Sequence, residues 1–275
     1  MDDEFYIGYE PTMPDRMAVR VRAAAGALIV LAAVVPAVLL FAQRRSAAAT
    51  FEFGRTRTFV GTVVEYPYPA LLVRDATHNS PAVYWLVGAG KRGASEIVNG
   101  HDGRMVRVSG TLIERDEDRM IEVASKEALA DIGPHAPTAI ESMRSLGSVV
   151  VRGEIVDSKC HLGVMKPGEG PTHRDCAVRC LLGRITPMFV PRAGAASMGR
   201  LALVDPDGRP FTGPLDTHVG RPVEIHGELF ARGPLRFLAA RSIDGDTGLL
   251  AFTAGLKTHL YENGASFLNV ASTQR

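Results

Sequence analysis

Cysteine is scarce in this chain of 275 residues. There are three, Cys160, Cys176 and Cys180, all in one short stretch that also holds His161 and His173. No Cys-x-x-Cys pair occurs, so the common redox-active dithiol motif is missing, and without Cys-x-x-Cys-His there is no covalent attachment point for a c-type haem. An excess of one charge is missing too. With 31 basic against 30 acidic residues and no basic stripe, the chain lacks the electrostatic footprint of a nucleic-acid binder. It carries no P-loop, no dinucleotide-binding glycine fingerprint and no Ser/His/Asp set. Disorder is excluded by an apolar content of 46%.

What is present begins with a long apolar run. Residues 23–42, AAAGALIVLAAVVPAVLLFA, carry no charge, and as a helix such a run spans roughly 30 Å, the hydrocarbon thickness of a bilayer. A membrane anchor is expected. The Ala47-x-Ala49 pattern offers a cleaved signal peptide as the rival, opposed by the long leading segment and by Arg44 and Arg45 between core and cleavage site. Arg16, Arg20 and Arg22 flank one end and Arg44 and Arg45 the other, a balance that barely favours a cytoplasmic amino terminus. Short leading tails with large trailing bodies usually export the body, so the rest of the chain is expected outside the cytoplasm.

The chain also repeats itself. His101-Asp-Gly103-Arg104-Met-Val106-Arg-Val108-Ser-Gly110-Thr-Leu112 aligns without a gap on His218-Val-Gly220-Arg221-Pro-Val223-Glu-Ile225-His-Gly227-Glu-Leu229. Upstream, Tyr84-Trp85-Leu86-Val87 matches Leu201-Ala202-Leu203-Val204 at the same offset, and Val60-Gly61-Thr62-Val63-Val64 resembles Arg152-Gly153-Glu154-Ile155-Val156. The stretch from Gly153 to Val204 is about 25 residues longer than that from Gly61 to Val87, and the addition holds every cysteine. Apolar and polar residues alternate in both copies between turn glycines, so each reads as a small β domain. A five-stranded barrel of the OB type fits the length and strand count, and that label implies no ligand.

The expected fold class is mainly β, with one transmembrane helix and two tandem OB-like barrels. The expected organisation is a tail over 1–22, the membrane helix over 23–42, a first barrel over 50–125, a linker over 126–148, a second barrel over 149–245 with its insertion over 157–190, and a tail over 246–275. In the linker, Lys126–Ala130 has helical propensity and Thr138-Ala-Ile-Glu141 resembles a capping box. A further helical patch is expected near Leu256–Tyr261. The acidic leader with Phe5, Tyr6 and Tyr9 reads as a solvated tail or as a docking peptide for a membrane partner. Tyr66, Tyr68, Tyr84 and Trp85 either fill a core or form a stacking surface. His101 and His218, each two residues before a turn glycine, point to a shared structural role.

The cysteine stretch carries the chemistry. Thr172 is expected to cap a helix that Gly183 closes, which gives His173, Cys176 and Cys180 helical spacings of three and four and a common face. Cys160 and His161 end the strand over residues 154–157. Cys160, His173, Cys176 and Cys180 would then supply three thiolates and an imidazole to a tetrahedral zinc ion, with His161 spare or replacing one of them. Copper(I) is an alternative, because thiolates near Met165 or Met188 make a soft ligand field. A disulfide from Cys160 to Cys176 or Cys180 is another, since exported cysteines are usually oxidised. A thiol enzyme is the last, with Cys160 activated by His161 and Lys159.

The stretch GEIVDSKCHLGVMKPGEGPTHRDCAVRC resembles one in bacterial membrane-anchored and exported proteins with OB-like domains that carry a Cys-His…His-x2-Cys-x3-Cys insertion. That resemblance covers mainly the second domain and brings with it no activity or ligand; it implies bacterial origin and a cluster that acts as a unit. The expected protein is a single-span subunit of a bacterial inner membrane, non-enzymatic, binding metal outside the cytoplasm beside a protein partner of the membrane or periplasm. A periplasmic thiol oxidoreductase and a disulfide-stabilised interaction module are the contrasting expectations.

Overall fold

The computed structural model describes residues 13–44, 49–74, 80–133 and 143–245. Its amino-terminal element, α1 (Asp15–Arg44), is one helix with Pro36 inside it. Over Asp15–Phe41 its mean hydropathy peaks at 2.7, and it is long and apolar enough to cross a membrane. It starts earlier than the apolar run because the residues before Ala23, Met17 to Arg22, contain no breaker and continue the helix.

The remainder, from Ala49 on, is mostly β and forms one compact body. Its first half contains β1 (Ala49–Phe51), β2 (Arg57–Val64), β3 (Ala70–Val73), β4 (Ala82–Gly88), the single turn α2 (Ser95–Val98), β5 (Met105–Arg115), β6 (Asp118–Val123) and β7 (Leu129–Asp131). Strands β2, β3, β4, β6 and β5 close a five-stranded barrel, with β4 and β6 parallel and the other pairs antiparallel. β1 and β7 extend β5. The second half contains β8 (Arg144–Asp157), α3 (Arg174–Leu182), β9 (Pro187–Pro191), β10 (Leu201–Val204), the single turn α4 (Leu215–His218), β11 (Pro222–Arg232) and β12 (Leu235–Gly245). Here β8, β9, β10, β12 and β11 close in the same order, with β10 and β12 the parallel pair. These are two closed five-stranded barrels of OB-like topology.

Alternation does what the sequence predicts in both halves: Val106 and Val108 of β5, and Val223 and Ile225 of β11, turn inward. His101 and His218 follow or end the single turns α2 and α4, and the glycines after them, Gly103 and Gly220, have φ of 71° and 68°. That left-handed turn feeds each chain into β5 or β11, a structural place common to both histidines. The described parts of the region expected as a linker are structured: β7 joins the first barrel and β8 begins at Arg144. Thr138–Glu141, the acidic leader and the patch near Leu256 lie outside the described residues.

Beside the two barrel interiors there is a third apolar cluster, drawn from both halves. Trp85, Val87, Ile113 and Met120 meet Val156, Leu162, Val204 and Phe237 there. Trp85 stands edge-on to Phe237, ring centroids 6.4 Å apart, a pairing worth about 0.5–1.5 kcal/mol beyond its buried area. Tyr68 is also buried; its hydroxyl donates to Leu203 O at 2.6 Å and accepts from Phe211 N–H at 2.8 Å. Of the four aromatics, Tyr68 and Trp85 pack, Tyr84 leans on Phe59, and Tyr66 is exposed. The barrels therefore share a core.

Candidate metal centre

Residues 158–186 join β8 to β9, where only residues 65–69 join β2 to β3. This is the added stretch. β8 ends at Asp157, and Cys160–Val164 form one wide helical turn in which Met165 N–H reaches Cys160 O at 3.2 Å. The chain returns as α3, which starts one residue later than the Thr172 cap implies: His173 is the N-cap residue, and its side chain caps nothing. Gly183 ends the helix as expected.

Cys176 and Cys180, four apart on α3, share a face with each other and meet Cys160 from the wide turn. The three Sγ atoms lie within 4.8 Å of one another, Cys160 and Cys180 buried and Cys176 half-buried. An ion with bonds of about 2.3 Å to each sulfur would hold them about 4 Å apart, so the group can close on one with little movement. All three thiols are free. A second group, Asp157, Cys160 and His173, shares Cys160 with the first and is wholly buried. Either group can hold a metal ion.

The four ligands expected from spacing are thus divided. His173 Nε2 donates to Asp157 Oδ2 at 2.9 Å, and the other carboxylate oxygen accepts Cys160 N–H at 2.8 Å. Asp157 is completely buried and fixes both the imidazole and the backbone of the first cysteine. His161 sits outside both groups. Arg200 Nε donates to its Nε2 at 3.0 Å, and Glu169 Oε2 lies 3.2 Å from Nδ1. A guanidinium has no lone pair to offer, so Nε2 is the acceptor and Nδ1 carries the proton. Burial pushes the His161 pKa down, Glu169 opposes that, and the charges of Arg115 and Arg200 add to it. Arg200 is tied in turn to Asp116 and Asp118. Among the soft donors expected nearby, Met165 is exposed, and Met188 is buried in the shared core.

Two lysines complete the site, and spacing within the cysteine stretch reveals the role of neither. Lys91, on the loop after β4, places Nζ 2.9 Å from Cys176 Sγ and 3.6 Å from Cys180 Sγ. Gly183 allows this approach: a Cβ there would stand 1.7 Å from Lys91 O. Gly93 N–H donates to Gly183 O at 2.8 Å and ties the same loop to the end of α3. Lys159, expected as an activator of Cys160, points away from it. Its ammonium is buried, ion-paired with Glu122 and donating to Gly88 O at 2.9 Å and Gly90 O at 2.6 Å.

The sulfurs differ in acidity. Cys160 donates a hydrogen bond to the Cys180 sulfur, which together with burial pushes the Cys160 thiol well up. That same bond pulls Cys180 down to about 7 against the effect of burial, and Lys91 lowers it further. In chelator-treated protein, thiolate absorbance near 240 nm is expected to rise by one thiolate with a midpoint near pH 7. Cys160→Ala removes the donor and should move that midpoint upward; an unchanged midpoint would show that the Cys160 bond is not its cause.

Comparison with family models, with curated proteins and with solved structures gives no match to this chain. The class that fold and site define is a tandem OB-like barrel protein with an apolar helix fit for membrane anchoring and a cysteine cluster able to hold a metal ion.

Proposed function

We propose that the protein is a membrane-anchored metal-binding protein that displays its barrels outside the cytoplasm of a bacterium and serves as a non-catalytic accessory or assembly subunit of a membrane redox complex. The observation that carries the reading is the convergence of Cys160, Cys176 and Cys180 within 4.8 Å, on a stretch that the first barrel lacks. Three thiols brought together on a strand end and a helix suit a thiophilic ion such as zinc or copper(I). For zinc, the fourth ligand would be Nδ1 of His173, the ring nitrogen that Asp157 leaves free, with Asp157 orienting the ring from behind. The apolar α1 supports anchoring.

The depressed pKa of Cys180 favours a second reading, a thiol oxidoreductase. Against it, Cys180 and Cys160 are buried and the half-buried Cys176 is the only sulfur of the three open to a substrate disulfide. The test is elemental analysis and intact mass of the full chain, purified in detergent without added reductant and without a metal-affinity resin. One ion per chain is expected, lost in the Cys160→Ala/Cys176→Ala/Cys180→Ala variant. A metal-free chain whose mass is two hydrogens short would replace this reading with a disulfide-stabilised module.

A further inference from the structure

Among the described residues, the sulfur site is short of a fourth ligand in a specific way. Asp157 and His173 group with Cys160 but not with Cys176 and Cys180; His173 Nε2 is held by Asp157, whose remaining oxygen accepts Cys160 N–H. On Cys176 and Cys180 the neighbouring side chain is Lys91, an ammonium with three protons and no lone pair, which cannot serve as a ligand. The backbone of the loop that carries it is held in place. Gly183 admits the Lys91 carbonyl, Gly93 N–H bonds to Gly183 O, and the buried Lys159 holds the carbonyls of Gly88 and Gly90 just ahead of Lys91. The cap therefore comes from the first barrel and the sulfurs from the second.

We infer that the site is built for a three-coordinate, all-sulfur ion of the copper(I) class, with Lys91 as an outer cap that offsets thiolate charge and denies the fourth coordination position to other ligands. This rests on the metal-binding reading above and names its cargo. Structural zinc takes four ligands in a tetrahedron, and a site in which no fourth ligand among the described residues groups with all three sulfurs, while an ammonium lies on two of them, meets that need badly. Copper(I) is selected by soft sulfur alone. The same cap leaves the half-buried Cys176 as the sulfur nearest solvent, the edge at which a thiophilic ion would be gained or given up.

The test uses the full chain in detergent, stripped of metal and kept anaerobic and reduced. Copper(I) is delivered from its bathocuproine disulfonate complex and zinc as the free salt, each followed by X-ray absorption at the metal edge. One copper(I) per chain is expected, with three sulfurs and no nitrogen in its shell, and zinc removed by dialysis. Lys91 is exposed, so Lys91→Met should fold normally; it is expected to keep copper(I) and to strengthen zinc binding by about tenfold or more, the scale on which outer groups act on metal affinity. Three sulfurs plus an imidazole around either ion would overturn the three-coordinate proposal and leave the metal-binding reading standing. So would a Lys91→Met variant with the wild-type preference between the two ions. Failure of both ions to bind stoichiometrically would remove both.

Discussion

Phe237→Ala is expected to cost about 3–5 kcal/mol of folding free energy, as buried phenylalanines do when a cavity replaces them, and to lower the stability of both barrels together. Phe237 belongs to β12 and is fully buried, yet it packs in the cluster that also holds Trp85, Val87, Ile113 and Met120 of the first barrel. Trp85 is the only tryptophan of the chain, so its fluorescence reports the first barrel while the substitution sits in the second. Denaturant unfolding of the full chain in detergent should give one transition by fluorescence and by far-ultraviolet dichroism, with a common midpoint shift. Phe189→Ala is the control. Phe189 is fully buried in the interior of the second barrel alone, and in one cooperative body it must move the Trp85 curve by a similar amount. A Trp85 curve that stays in place while the dichroism shifts would mean two independently folding barrels.

Much of this architecture was legible because the repeat is nearly exact in its offset where strands are concerned. Gly103 and Gly220 fall in the turns just before β5 and β11, Val106 and Val223, and Gly110 and Gly227, fall at matching points within them, and a pattern of period two survives in both. Cys176 and Cys180 were legible as a pair because helical spacing is local information. The pairing of His173 with Asp157 was not. Asp157 reads in sequence only as the last residue of a strand, and that it takes the imidazole of His173 depends on where α3 returns after the intervening loop. His161 adjoins Cys160 in sequence but faces the other way, toward Arg115, Arg200 and Glu169, because one residue of advance in a wide helical turn swings a side chain out of the face its neighbour occupies. Lys91 was beyond reach for another reason. It lies 85 residues from Cys176, in the other barrel, and no periodicity within either segment encodes a contact made only when two barrels share a core.

Lys159→Met should be the most damaging single change near the metal centre, although Lys159 touches no sulfur in the structure. The side chain is buried and its ammonium joins β8 to three groups of the first barrel: the carboxylate of Glu122 and the carbonyls of Gly88 and Gly90. Methionine keeps the length and apolar stem but leaves those three acceptors without their donor. Breaking a buried ion pair from one side costs about 3–5 kcal/mol, and the partial exposure of Glu122 puts this case near 3. For a body of this size that corresponds to a fall in Tm of roughly 6–12 °C. The second effect is on the ion. The loop that Lys159 grips is the one that carries Lys91, so loosening it withdraws the cap from Cys176 and Cys180 and leaves the three thiols where they were. Copper(I) should then remain bound but exchange faster with bathocuproine disulfonate, and Lys91→Met should add little to the exchange rate in the Lys159→Met background, because two changes acting through one contact are not additive. Full additivity of the two substitutions would separate the latch from the cap and leave Lys159 with a purely structural role.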